Sequence, residues 1–74
     1  MIDFYTLEQC KKNKKIRQLK IKNLEHAIQQ SEGMIFESQI NGEALIFLRR
    51  KIAESIQDLE VLYLMNEQEQ KNNQ

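Results

Sequence analysis

A run of cations in the first third of the chain is the feature of the sequence with the most obvious chemical potential. No acidic residue interrupts this run between Glu8 and Glu25. Its members are Lys11, Lys12, Lys14, Lys15, Arg17, Lys20 and Lys22. Cations at this density can follow a phosphate backbone, because neutralising phosphates releases counterions and gives affinity without reading bases. The run therefore marks a candidate nucleic-acid contact.

Three features of the sequence favour a different interpretation of the cationic run. The chain has a formal net charge of zero. On a helix the cations point in all directions, and no aromatic residue is interleaved with them to stack on bases. The competing interpretation is a solvated helix whose cations pair with acids elsewhere in the chain.

Catalytic and metal-binding patterns are missing from the sequence. Cys10 and His26 are its only cysteine and histidine, and one of each cannot complete a tetrahedral zinc site. No nucleophile is spaced to meet a base, and no glycine pattern resembles a phosphate-binding loop. Glu67 and Glu69 are paired carboxylates in a polar tail, which we interpret as solubilising charge. We expect neither enzymatic activity, nor a metal, nor a cofactor.

Composition points to a small soluble chain. Of its 74 residues, 41% are hydrophobic and 30% are charged. The longest apolar runs, at 44–48 and 61–65, are far shorter than the ~20 residues that a spanning helix needs. Met1 is not followed by a basic segment and an apolar stretch, as a signal peptide would be. We therefore expect a cytoplasmic protein that does not interact with membranes.

The scarcity of helix breakers predicts an all-α fold. Proline is absent, and the only glycines are Gly33 and Gly42. Thr6 with Gln9 resembles a capping box at the start of a helix, Gly33 is a suitable end, and Asn41 is a suitable cap for a second helix. The resulting prediction is a single small domain, 1–74, with helix 1 at about 6–32, a connection at 33–42, helix 2 at about 43–68 and a frayed tail at 69–74. Residues 34–40 are compatible with an extended segment or a further helical turn.

Two helices joined by so short a connection predict an antiparallel hairpin. A hinge near residue 38 would place residue 59 opposite Arg17, and it would set the cationic run against Glu54, Asp58 and Glu60. Apolar residues at intervals of three and four predict the face through which the helices, or their oligomer, pack. These predicted core residues are Leu45, Leu48, Ile52, Ile56, Leu59 and Tyr63 on helix 2, with Ile21, Leu24 and Ile28 on helix 1.

Helix 2 carries more apolar side chains than one facing helix can cover. A two-helix core also rarely supplies more than ~3–5 kcal/mol. We therefore expect self-association, with a dimer that forms a four-helix bundle as the simplest form, or packing on a different protein. The candidate partner surface consists of Phe47, Val61, Leu64 and Met65.

The sequence is accordingly interpreted as a small non-enzymatic helical interaction protein of the adaptor, chaperone or inhibitor type. It would act by packing helices against a protein partner or against itself. The alternative is a dimeric nucleic-acid-binding protein that uses the cationic run.

Overall fold

The computed structural model describes residues 2–72, which form three helices and no strand. The helices are α1 (Phe4–Lys12), α2 (Lys14–Ser38) and α3 (Gly42–Asn72). The all-α prediction is confirmed. The predicted hairpin of only two helices is replaced by three helices, because helix 1 is divided.

Asn13 divides the helix that was predicted at 6–32. Its backbone is extended, with φ −126° and ψ 109°, and its side-chain oxygen accepts hydrogen bonds from the backbone N–H groups of Lys15 and Ile16. Asparagine is among the strongest N-cap residues because it can satisfy these otherwise unpaired donors. The sequence prediction missed this cap, since asparagine is only weakly unfavourable inside a helix.

The start of α1 also differs from the prediction. Asp3 is the N-cap, and its carboxylate accepts a hydrogen bond of 2.7 Å from the backbone N–H of Thr6. The predicted cap, Thr6, is therefore the donor in this interaction. The same bond holds the pKa of the exposed Asp3 below its ordinary value of 3.8.

The connection between the two long helices is much shorter than the predicted 33–42. Helix α2 continues through Gly33 to Ser38, because Ile35 extends the apolar stripe of Ile21 and Ile28 by a further seven residues. Gln39 then adopts the left-handed conformation, with φ 48°. Asn41, the predicted cap, directly precedes α3, and the φ of 70° at Gly42 suits a residue without a side chain.

Helix α3 is longer than predicted and spans the molecule. It runs to Asn72 rather than to residue 68, so the first four residues of the predicted frayed tail are helical. The rest of that tail, 73–74, lies outside the described residues. At ~1.5 Å per residue, the 31 residues of α3 account for the 47 Å length of the molecule.

Helices α2 and α3 run in opposite directions along each other, and α1 covers the end of this pair that lies away from the turn. The buried core is at that end and consists of Cys10 from α1, Ile21 from α2, and Leu59 and Leu62 from α3. Partly buried residues surround it: Ile2, Leu24, Ile28 and Met65. Full burial therefore coincides with the region in which a third helix is present.

The inward face of α3 is turned away from the predicted stripe. Leu59 is buried, and Leu45, Leu48 and Ile52 are partly buried, as are Leu24 and Ile28 of α2. Ile56 and Tyr63, however, remain 43% and 41% exposed, whereas Leu62, which was not in the predicted set, is fully buried. Neighbouring helical residues point ~100° apart, so burying Leu62 turns Tyr63 toward the edge.

The pairing of α2 with α3 also differs from the prediction. A hinge near residue 38 would set residue 59 opposite Arg17, but Arg17 contacts Asn66 and Glu69. The extension of α2 to Ser38 moves the turn further along the chain and so changes the pairing. Glu69, rather than Glu54, Asp58 or Glu60, is therefore the acid that pairs with Lys14 and Arg17.

Candidate functional site

Arg17 is a buried cation that joins all three helices. Its side chain is almost completely enclosed, at 1% exposure. Its Nε donates to Asn66 Oδ1 at 2.7 Å and its Nη2 donates to Glu69 Oε2 at 2.6 Å, both on α3. Its Nη1 donates to the backbone carbonyl of Cys10 on α1 at 3.1 Å. Charge-assisted hydrogen bonds of this kind are the strong ones, so Arg17 fixes where α1 and α3 lie on α2.

Polar neighbours complete the Arg17 cluster. Gln18 donates to Asn66 at 3.1 Å, and the Lys14 ammonium lies 3.9 Å from the Glu69 carboxylate. Within 2–72, every buried side-chain nitrogen and oxygen has a hydrogen-bond partner. The interpretation of Glu69 as solubilising charge is therefore corrected, because this carboxylate neutralises a buried arginine.

A groove lies beside the Arg17 cluster, between α1 and α3. Its volume is about 460 Å³, and it is open to solvent along one side. The apolar lining comes from Val61, Leu64 and Met65, while Lys11 and Glu69 bring opposite charges to the same groove. Val61 and Leu64 are roughly half exposed, so this groove presents apolar surface that the chain itself leaves uncovered.

Three of the four residues of the candidate partner surface line this groove, and the fourth lies elsewhere. Phe47 is near the turn, where the ammonium of Lys51 lies 5.7 Å from the centre of its ring. Met34, Phe36 and Ile46 are also exposed in this region, in which α2 and α3 lack a third helix. The candidate partner surface is thus two separate apolar regions, the groove and the turn end.

The cationic run does not form one surface. Asn13 separates Lys11 and Lys12 on α1 from the remaining members on α2. Arg17 is buried, so it is not accessible to a phosphate, and Lys14 pairs with Glu69. The accessible cations are lysines that belong to two helices.

Reactive side chains are not gathered anywhere in the described part of the chain. Cys10 is buried and His26 is exposed. No three histidine, cysteine, aspartate or glutamate residues among those described are grouped so that they could hold a metal ion. Tyr63 donates its hydroxyl proton to Glu25 at 2.6 Å, which raises the pKa of this tyrosine above 10.0.

Two further observations bear on the function. Among residues 2–72, none of the helices combines the length and the hydropathy that crossing a membrane requires. No protein-family model, curated protein or solved structure matches the chain.

Proposed function

We propose that this chain is a small, cytoplasmic, non-enzymatic interaction protein whose activity is helix packing. The partner is a helix of another protein or of a second copy, and the chain would serve as an adaptor, chaperone or inhibitor. The groove lined by Val61, Leu64 and Met65 carries this proposal, because it offers apolar surface next to a rigid charged cluster.

The construction of the groove suits a helix that inserts side chains from one face. The groove has room for a few side chains but not for a whole helix, so a partner helix would lie across it. Lys11 and Glu69 lie beside the apolar lining and would pair with opposite charges on the partner. Such pairs set orientation and register more than affinity.

The turn end supports self-association as one form of this activity. Phe36 is 85% exposed, and Ile46 and Phe47 are also largely exposed. A two-helix region with this much exposed apolar surface is typical of an interface. We propose a dimer at micromolar concentration, with a four-helix bundle as one arrangement that would cover the turn end.

The nucleic-acid-binding alternative receives less support from the described residues. Arg17 is enclosed, and Lys14 has a carboxylate partner. The cations that remain accessible are divided between α1 and α2, so they do not present the continuous basic stripe that follows a phosphate backbone.

Sedimentation velocity of the wild type and two variants tests the proposal. Leu64→Lys places a charge in the groove, while Leu19→Lys makes the same change at a similarly exposed position on α2 that does not line the groove. Association that increases with concentration is expected for the wild type and for Leu19→Lys, and it should be weakened in Leu64→Lys. Helix content should be unchanged in both variants, since a lysine at a half-exposed site can reach solvent.

Two results would contradict the proposal. One is equal association by Leu64→Lys and Leu19→Lys, which would remove the groove from the interface. The other is loss of helix content in Leu64→Lys, which would make Leu64 part of the core.

A further inference from the structure

We propose that this chain opens at Asn13 and exchanges α1 with a second copy, so that the two copies form a domain-swapped dimer. In the opened chain α1 and α2 become one helix from Phe4 to Ser38, and α1 packs on the α2–α3 pair of the other copy. This inference rests on the proposed function, of which it specifies one partner and one manner of association.

The hinge is the single residue Asn13, and a change of its backbone from extended to helical alters few hydrogen bonds. The Asn13 N–H already donates to the Gln9 carbonyl, and the Arg17 N–H already donates to the Asn13 carbonyl, both with helical spacing. One difference lies at Lys15 and Ile16, whose N–H groups donate to the Asn13 side chain instead of to backbone carbonyls. The other lies at the Cys10 carbonyl, which accepts from Arg17 and in a continuous helix would also accept from the Lys14 N–H. Helix through Asn13 would replace these two capping bonds by helical ones, so the two conformations are close in hydrogen bonding.

The sequence around the hinge favours a continuous helix. Lysine, glutamine and isoleucine flank Asn13, and neither glycine nor proline is nearby. Local propensity alone predicts one helix through this region. What keeps the chain closed is the Asn13 cap, together with the contacts that α1 makes on α2 and α3.

The contacts of α1 identify the second copy as the partner that fits. The Ile2 N–H donates to Asp58 at 3.3 Å, Cys10 is fully buried against α2 and α3, and its carbonyl accepts from Arg17. A second copy presents the same acceptor, pocket and guanidinium. Every contact that α1 loses on opening can therefore be remade between chains, as in other swapped dimers.

Opening removes the contacts of α1 with α2 and α3 and exposes the buried Cys10 to solvent. It also uncovers part of Leu59 and Leu62, which form the buried core together with Cys10. Opening is therefore favourable when a second chain supplies the missing helix, which makes it depend on protein concentration.

The position of the hinge determines the form of the dimer. Asn13 lies at the end of the molecule opposite the turn, so α1 would extend away from its own α2–α3 pair. The two copies would meet end to end, and the dimer would have about twice the 47 Å length of the closed chain. A bundle formed by side-by-side association would not be lengthened in this way.

A disulfide trap distinguishes the closed chain from the swapped dimer. Ile2→Cys and Asp58→Cys are introduced together, with Cys10→Ala to remove the native thiol. Ile2 and Asp58 are in contact and lie far from the hinge, so oxidation links them within one chain if it is closed and between two chains if it is swapped. After refolding at increasing protein concentration, we expect a disulfide-linked dimer whose fraction rises with concentration.

Variants at the hinge provide the second measurement. Asn13→Ala removes the cap and improves helix propensity, and together these changes favour the open hinge by about tenfold. Because two hinges open per dimer, the dimer dissociation constant should fall by roughly a hundredfold. Asn13→Asp is the matched control, since aspartate caps as well as asparagine and should leave the dissociation constant nearly unchanged.

The proposal is overturned if all disulfides are intramolecular at every concentration, or if Asn13→Ala and Asn13→Asp associate equally. Should Asn13→Ala not fold, the disulfide pattern of the chain with Asn13 in place decides alone. A dimer that Leu64→Lys weakens but that forms no link between chains would retain the groove as an interface and reject the exchange of α1. A dimer that forms the link between chains but that Leu64→Lys does not weaken would retain the exchange of α1 and reject the groove as an interface.

Discussion

Removing the acceptor that Asn66 offers to Arg17 should destabilise the fold substantially. The Asn66 side-chain oxygen accepts from Arg17 at 2.7 Å and from Gln18 at 3.1 Å. Asn66→Ala would leave the Nε–H of Arg17 without its acceptor, and Arg17 is only 1% exposed. Asn66 itself is only partly buried, so water can replace the lost acceptor to some extent.

The magnitude of this effect follows from the burial of Arg17. A hydrogen bond to a charged group contributes ~1.5–3 kcal/mol, and access of water to Asn66 favours the lower part of that range. We expect a loss of about 2 kcal/mol, relative to a control that carries the same asparagine-to-alanine change. For a domain of this size, that corresponds to about 8–16 °C in melting temperature.

Asn23→Ala is the matched control, because Asn23 is an exposed residue within α2. Alanine has the higher helix propensity, so this control should be slightly more stable than the wild type, by about 0.5 kcal/mol. Thermal and denaturant unfolding followed by circular dichroism measure both variants. Equal stability of Asn66→Ala and Asn23→Ala would refute the role given to the Arg17 cluster. In an Arg17→Met background the difference between the two substitutions should fall to the small contribution of the Gln18 hydrogen bond, since no buried cation remains.

Four further predictions test individual parts of the structure. Leu62→Ala should lower the free energy of unfolding by about 2–5 kcal/mol, and Ile56→Ala by much less, because Leu62 is buried and Ile56 is not. Equal losses in denaturant unfolding would instead support the predicted core face that contains Ile56. Gly33→Ala should stabilise the fold by up to about 1 kcal/mol, because Gly33 is inside α2 and nothing lies within 4 Å of an added methyl group. A loss of stability in this variant would argue against a helical conformation at residue 33. The pKa of Tyr63 should be above 10.0 in an absorbance titration, because its hydroxyl donates to Glu25. This hydrogen bond therefore stabilises the fold at neutral pH, and its contribution is lost as pH rises through the raised pKa. A pKa at or below 10.0 would exclude the bond. In a gel-shift assay we expect no appreciable nucleic-acid binding by the wild type at physiological salt, and therefore no change when the four lysines that flank Asn13 are replaced by glutamine. A salt-sensitive complex with the wild type would favour the alternative function.

The break at Asn13 shows where sequence reasoning is weakest. An asparagine inside a helix costs only a few tenths of a kcal/mol, so propensity alone does not reveal a boundary. The decision depends on tertiary contacts of α1, such as the burial of Cys10 and its carbonyl bond to Arg17. These contacts join residues that local patterns treat as independent.

Arg17 belongs to the cationic run, and the structure makes it a buried cation that pairs with Glu69. It lies four residues before Ile21 on the same stripe as Leu24 and Ile28, a position where a cation needs a buried partner. Of its partners, Asn66 lies near the end of the predicted helix 2, and Glu69 lies in the predicted frayed tail. Only the pairing of α2 with α3 brings them together, and that pairing depends on where the turn lies.

The segment 61–65 has more apolar side chains than one helix face can bury. Because all five residues are apolar, their spacing could not show which of them points inward. The structure buries Leu62 and leaves Val61 and Leu64 about half exposed in the groove. The sequence therefore indicates that this segment leaves apolar side chains uncovered, but it does not show which of them α3 turns inward.

Methyl NMR spectra recorded during dilution test the central claim most directly. Val61, Leu64 and Met65 all carry methyl groups that report on the groove, and Leu19 provides an exposed methyl reference on α2. Packing through the groove predicts that the signals of these three residues shift with protein concentration in the micromolar range, while those of Leu19 do not. Signals from the groove that stay constant with concentration, or that shift no more than those of Leu19, would contradict the claim.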